Sequence, residues 1–345
     1  MKKIYIKTTE SCQLHCQHCY IGDNRKKTAF FDEEATIAWI QSYLNKKGLA
    51  QKDILFSFHG GEPFLCPLDK LEKVCNAFPE ASFDATTNLV YPADTMTVID
   101  SFITKNLRSS EDRKPFVKTS WDYDIRFKSK EQELLFWNNF KMLQDRGVRI
   151  EIITCLTSLL IKEMSPEEYL SMMAAHQVKS VNFERLTANT TTCKSLIPDY
   201  RKQEDWLLRC YEIWQKQYSH IEIEFFRNMV SAAKGVFTSC RGRTCMLDVI
   251  TINADGSYGG CPNSAISQPF GDIHGDYREE RHKHLIECEK SRNLSCLTCD
   301  LFKVCNGDCH QLTWQNGICP EPKKLLRRII NDVETEKKTC LSDAR

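Results

Sequence analysis

The chain has 345 residues, 41% of them hydrophobic and 27% charged, which suits one large globular domain and a smaller one. A formal net charge of +1 gives no global field to recruit nucleic acid or an anionic membrane, and no apolar run approaches the length that crosses a bilayer. The N-terminus, MKKIYIKTTESC, lacks the apolar core of a secretory signal, so a cytoplasmic protein is expected, with its eighteen cysteines available to metals rather than disulfides.

Apolar runs predict strands at 3–8, 54–59, 82–86, 116–120, 149–156 and 180–184, separated by helical segments such as 32–46, 67–77 and 131–146. In the first helix Asp32 is placed to cap the N-terminus, and Ala35, Ile37, Ala38, Ile40 and Leu44 form an apolar face; Gly48 and Gly147 sit where helices stop. Six strands alternating with helices predict a parallel α/β sheet curled as a full or partial barrel, with chemistry at the C-terminal strand ends. Residues 187–199 are polar and read as a connecting loop; a helix over 203–218 leads into 221–226. From about Met229 cysteines, glycines and short strands dominate, as in a metal-stapled domain. Residues 250–253, the Asp255-Gly256 pair and Tyr258 predict a hairpin, and 321–338 a charged terminal helix.

Eleven cysteines fall into two spaced sets. Cys12, Cys16 and Cys19 read C-x3-C-x2-C, with Tyr20 directly after; Cys240, Cys245, Cys261, Cys296, Cys299, Cys305, Cys309 and Cys319 form the second array. Iron–sulfur clusters normally take four cysteines, so three thiolates within eight residues can hold a cubane while leaving one iron open to a small molecule. Eight more are the number for two complete clusters. Zinc competes for pairs such as Cys296 and Cys299. The remaining seven cysteines are unclustered, and most of them read as small buried hydrophobes.

C-x3-C-x2-C-Tyr straight after a first strand resembles the radical S-adenosylmethionine (SAM) superfamily. His59-Gly60-Gly61-Glu62-Pro63 after the second strand is similar to that family's GGE(P) element, Thr86-Thr87-Asn88 ends the third strand, and Ser120 ends the fourth within TSWD. The resemblance implies a partial (β/α)6 barrel in which Cys12, Cys16 and Cys19 bind the catalytic cluster. Tyr20, Gly60, Gly61, Glu62, Pro63, Thr87, Asn88 and Ser120 then line the SAM site, and Arg126 partners the SAM carboxylate. Relatives place a glycine after the aspartate of TSWD; this chain has Asp122-Tyr123-Asp124-Ile125-Arg126, a shorter loop.

The C-terminal spacing, Cys245-x10-Gly256-x4-Cys261, then Cys296-x2-Cys299-x5-Cys305-x3-Cys309, then Cys319, resembles a SPASM domain. That implies a core over 1–228 and an auxiliary-cluster domain with a C-terminal helix over 229–345. By the same resemblance Cys240, Cys245, Cys261 and Cys309 hold one [4Fe-4S] cluster, and Cys296, Cys299, Cys305 and Cys319 another. With the catalytic cluster this makes three, plus SAM.

Such enzymes cleave SAM to a 5′-deoxyadenosyl radical that takes hydrogen from an unactivated carbon. The resemblance implies a peptide or protein substrate that is oxidised, crosslinked or epimerised, similar to the action of anaerobic sulfatase-maturating enzymes. The alternative is a small molecule, through alcohol dehydrogenation or a nucleotide or sugar rearrangement. Because the motif begins at Cys12, a peptide substrate is expected to use a separate leader-binding protein or to dock directly. A flavodoxin- or ferredoxin-type donor is the implied reductant, with no nucleic acid or membrane partner. Sulfatase-maturating relatives carry an aspartate base after the cysteine matching Cys261; here Pro262 and Asn263 follow, which argues against formylglycine formation by that route. Glu184, Arg185, Glu224 and Arg227 are candidates for the cavity or for salt-bridged strand ends. His59 either touches the cofactor or packs, Trp121 and Tyr123 either gate the pocket or pack, and Asp308 and His310 support cluster ligands.

Overall fold

The computed structural model describes residues 2–22, 29–187, 191–238, 241, 248–265, 267–275, 281–290 and 292–343. Along the chain run the strands β1 (Lys2–Thr9), β2 (Ile54–Gly60), β3 (Ser82–Thr86), β4 (Phe116–Ser120), β5 (Arg149–Leu156), β6 (Ser180–Arg185), β7 (Glu222–Ile223), β8 (Val249–Ile252), β9 (Ser257–Gly259) and β10 (Gly271–Asp272). The helices are α1 (Glu33–Lys47), α2 (Leu68–Ala77), α3 (Ala93–Asn106), α4 (Lys130–Asp145), α5 (Ser158–Glu163), α6 (Pro166–Ala175), α7 (Thr191–Leu196), α8 (Tyr200–Ile213), α9 (Glu224–Ala233), α10 (Arg281–Lys290), α11 (Phe302–Cys305) and α12 (Lys323–Asp343). The first six strands fall where apolar runs predict them. Two compact units form: Met1–Trp121 with Ile125–Ile152 and Cys245–His284, and Asp122–Asp124 with Ile153–Thr244 and Leu285–Arg345.

In the first unit the sequence of β1 alternates, so Ile4 and Ile6 are buried on one face while Lys3, Tyr5 and Lys7 share the other. β2 lies parallel to β1, pairing Lys3 with Leu55 through Lys7 with His59; β3 is parallel to β2 and β4 to β3. The polar face carries its own charge pairing: Lys3 lies 3.7 Å from the Asp84 carboxylate on β3, and Lys118 on β4 lies 2.8 Å from Glu151 on β5. On its other side β1 takes β8 as a parallel partner, Lys3 beside Val249 to Ile6 beside Ile252. The predicted hairpin is present, with β9 antiparallel to β8 and Gly256 at φ +87° in its turn. A strand of the cysteine-rich segment therefore extends the same sheet, a long-range pairing that local pattern does not announce.

Helix α1 begins as predicted: the Asp32 carboxylate accepts the Ala35 N–H at 3.0 Å, and Gly48 closes the helix at φ +63°. Its buried face differs from the expected one. Ile40 and Leu44 are buried, but Ala38 is exposed, and Trp39 and Tyr43 take the inner positions, stacked on each other at 5.5 Å. Trp39 also meets Tyr258 at 4.7 Å, so aromatic area decides the orientation.

In the second unit β6 and β7 pair in parallel. The stretch 187–199, expected to be a loop, contains α7; its Thr-Thr-Cys-Lys-Ser-Leu sequence has too little apolar periodicity to read as a helix. Residues 221–226 divide between β7 and the start of α9, which buries Phe225, Phe226, Met229 and Ala232. No helix among the described residues is long and apolar enough to cross a membrane.

Glu33, in the first turn of α1, joins α2 through Lys70 and through Lys73 at 2.8 Å. Burial opposes its charge, but hydrogen bonds from both lysines prevail and hold its carboxyl down at about 2. A depressed acid stabilises the fold above its unfolded value and loses that contribution as pH falls toward the folded one. Glu33→Gln should therefore lower stability by about 1 kcal/mol at pH 7. Chemical denaturation should show the gap from wild type closing as pH drops from about 4.5 toward 2.

Candidate functional site

The loop after β1 and the turn after β2 meet backbone to backbone. Gly61 N–H donates to the Thr9 carbonyl and Glu62 N–H to the Ser11 carbonyl, each at 2.8 Å. A Cβ on Gly60 would lie 2.1 Å from the Thr9 oxygen, and one on Gly61 would lie 2.2 Å from the Ser11 oxygen and 2.4 Å from the Glu10 oxygen. Gly60 also sits at φ +139°. The close approach that two glycines permit is thus to the cysteine-bearing segment itself.

Glu62 is 1% exposed and turns inward. Its carboxylate accepts the Thr87 hydroxyl at 2.8 Å, the Asn88 N–H at 2.7 Å and the Phe64 N–H at 3.3 Å. Burial raises it to about 7, and these donors work against the rise. The next residue, Pro63, is buried, and its carbonyl accepts the Thr8 hydroxyl at 3.0 Å. Asn88 in turn reaches the first cysteine, its Nδ2 lying 3.7 Å from Cys12 Sγ. One continuous hydrogen-bonded path therefore runs from the β2 turn through the β3 end to the cysteine loop.

Cys12, Cys16 and Cys19 are half-buried, and Cys19 N–H closes a turn onto the Cys16 carbonyl at 3.2 Å. Burial pushes the Cys12 thiol up to about 12, helped by Glu62 and by Cys16 and Cys19, whose thiols are near enough to act on it. Three soft donors near enough to act on one another, two glycines that admit the loop, and a sulfur-directed amide suit a thiolate-bound cluster. Tyr20 places its hydroxyl 3.1 Å from His59 Nδ1, which also accepts the Gly60 N–H at 2.9 Å. Burial and the charges of Lys7 and Lys3 lower His59 to about 3, so the ring is neutral and orients Tyr20. Ser120 ends β4, and Arg126 is half-buried on the following loop, whose Ile125 carbonyl accepts the Gln17 N–H at 3.1 Å. Trp121 is buried and donates to Glu133 at 2.7 Å, a packing role.

Two contributors were not apparent from sequence. Gln13 Nε2 donates to Asn88 Oδ1 and to the Val90 carbonyl, both at 3.2 Å. Asn139 on α4, 5% exposed, donates to the carbonyls of Leu89 and Tyr91 at 2.8 and 2.9 Å, bracing a loop in which Leu89 holds φ +57°. Gln13 adjoins Cys12, and Asn139 is a polar residue on a buried helix face; those were the available signals.

In the second unit Cys296, Cys299, Cys305, Trp314, Cys319 and Glu321 are among the residues lining a small concavity partly open to solvent. Behind it lies a buried ion network. Arg185 at the end of β6 pairs with Asp308 and lies 3.7 Å from Glu321; Arg241 lies 2.9 Å from Glu321 and 3.9 Å from Asp308. Arg241 also donates to the Cys305 carbonyl at 3.4 Å. Burial favours the neutral acid at Asp308, yet the two guanidinium groups hold it below the usual carboxylate range. Arg185 is thus a salt-bridged strand end, and Arg227 is an exposed partner of Glu222. Cys261 and Cys309 are half-buried, one in each unit; Cys240 and Cys245 lie outside the described residues.

The architecture matches solved structures. Native anSMEcpe with bound AdoMet superposes with a TM-score of 0.76 at 16% identity, covering 99% of each chain. This chain shares that fold. anSMEcpe with bound AdoMet and the Cp18Cys peptide gives 0.74 at 14% identity over 99% of each chain. Streptococcus suis SuiB bound to its precursor peptide SuiA gives 0.60 at 15%, covering 90% of this chain and 72% of that one. No protein-family model and no curated protein sequence matches the chain.

Gly61→Ala should cost more than about 3 kcal/mol, because its new methyl meets two backbone oxygens that cannot swing away. Gly147→Ala, at φ +80° with open space around it, should cost only about 1 kcal/mol; thermal unfolding of the two variants checks the contrast. Arg241→Met leaves Glu321 and Asp308 short of a buried cation and should lower stability by about 3 to 5 kcal/mol, read as an earlier urea midpoint.

Proposed function

We propose that the chain reductively cleaves SAM and uses the 5′-deoxyadenosyl radical to take hydrogen from a peptide or protein side chain, leaving an oxidised, crosslinked or epimerised residue. The observation that carries this reading is the clasp between the cysteine loop and Gly60-Gly61-Glu62, with Cys12, the first of three cysteines in one eight-residue segment, tied through Asn88 to a buried carboxylate. In this reading Cys12, Cys16 and Cys19 hold a [4Fe-4S] cluster with one open iron, which when bound supplies the electron for SAM cleavage. Gly60, Gly61, Glu62 and Pro63 form the edge against which the methionyl amino group rests. Tyr20, Thr87, Asn88 and Ser120 line the cofactor site, and Arg126 faces its carboxylate.

Residues 1–228 then form the catalytic core and 229–345 the auxiliary-cluster region. Cys296, Cys299, Cys305 and Cys319 share a concavity, which supports them as the ligands of one auxiliary cluster. Cys240, Cys245, Cys261 and Cys309 are proposed for the other. The peptide reading is supported by fold-mates solved with a peptide or precursor peptide bound. A flavodoxin- or ferredoxin-type protein is the proposed reductant, and a separate leader-binding protein a proposed partner.

Anaerobically reconstituted, reduced protein should form 5′-deoxyadenosine, and the peptide fraction of a host extract should stimulate it more than the metabolite fraction. Cys16→Ala should abolish cleavage, whereas Cys299→Ala should retain cleavage uncoupled from substrate. Full cleavage by the Cys16→Ala protein would sink the assignment of the site.

A further inference from the structure

The polar face of β1 carries two lysines that are treated differently, Lys3 half-buried and Lys7 fully buried. Lys3 has the Asp84 carboxylate 3.7 Å away. Lys7, 0% exposed, donates instead to a neutral group, the Pro262 carbonyl, at 3.0 Å. Its ammonium also sits 4.9 Å from the centre of the Tyr20 ring. Pro262 follows Cys261, and Tyr20 follows Cys19, so the charge stands between one cysteine of each proposed cluster on the first unit.

Burying an ammonium without a paired anion is costly. Burial draws Lys7 down to about 8, while Glu10, Cys261, Asp255 and Cys19 act in the opposite direction. Among the described residues no carboxylate closes an ion pair with it. The groups on either side become anionic when Cys19 and Cys261 ligate iron, because a coordinating thiol is deprotonated outright. A cationic Lys7 is therefore an energetic liability in the empty chain and an asset in the loaded one.

We propose that Lys7 is a positioning residue that serves as one shared counter-charge for two iron–sulfur clusters, the SAM-binding cluster at Cys19 and the auxiliary cluster at Cys261, setting the reduction potentials of both. Adding an electron to either cluster increases the negative charge facing the ammonium. A nearby buried cation therefore stabilises the reduced form over the oxidised form and raises the midpoint potential. The proposal rests on the three-cluster reading above.

The test compares wild type with Lys7→Arg, Lys7→Gln and Lys7→Met, each reconstituted anaerobically and assayed for iron and sulfide. Reduction is then followed by electron paramagnetic resonance at set potentials. The signal that responds to SAM belongs to the Cys12–Cys16–Cys19 cluster, and the signal lost in Cys261→Ala belongs to the auxiliary one. Lys7→Gln and Lys7→Met should move both potentials to more negative values, and Lys7→Arg should leave both near wild type. Glutamine keeps a donor for the Pro262 carbonyl, so it decides the matter should the methionine variant fail to fold. A loaded Lys7→Gln protein with either potential unmoved overturns the shared role. A wild-type protein that takes up no iron and sulfide overturns the three-cluster reading, and the proposal with it.

Discussion

The site depends on a backbone contact that tolerates no side chain. Two hydrogen bonds of 2.8 Å hold the turn after β2 against Thr9 and Ser11, and the space for a Cβ at Gly60 and Gly61 is already filled by carbonyl oxygens. Because the contact is between main chains, it sets the separation of the two strand ends independently of rotamers. The inward turn of Glu62 follows from it, and Glu62 in turn receives the end of β3 through Thr87 and Asn88. The geometry around Cys12 is therefore inherited from a contact several residues away.

The two units anchor their cysteines by different means. In the first, neutral hydrogen bonds and the buried Glu62 carboxylate organise the loop. In the second, two arginines and two carboxylates, all nearly inaccessible, tie the segments of Cys305, Cys309 and Cys319 to the end of β6. Charges balance locally there, the condition under which buried ions are tolerable, and each removed partner exposes the cost of those left behind. Among the described residues of the first unit, Lys7 has no such balance.

Much of the framework was legible in the sequence because its signals are local. Strands such as β1 and β2 announce themselves by apolar alternation, α1 by Asp32 and Gly48, and the cysteine sets by spacing. What escaped was long-range or weakly patterned. The pairing of β8 with β1 joins residues about 250 apart in sequence, beyond any window of periodicity. Helix α7 carries too few apolar residues to show a period, and the inner face of α1 was set by aromatic packing with Tyr258. Gln13, Asn139 and Arg241 act through partners that only the folded chain brings near, and the adjacency of Gln13 to Cys12 or the helix face of Asn139 does not name those partners.

The raised thiols have a consequence for assembly. Burial holds Cys12 at about 12 and raises Cys305 as well, so near neutrality the empty chain keeps both protonated. On the proposed reading iron would bind them as thiolates, so cluster loading would displace the protons they carry. On the proposed three-cluster reading, loading this protein with iron and sulfide would release protons, so alkaline medium would favour it and acid would oppose it.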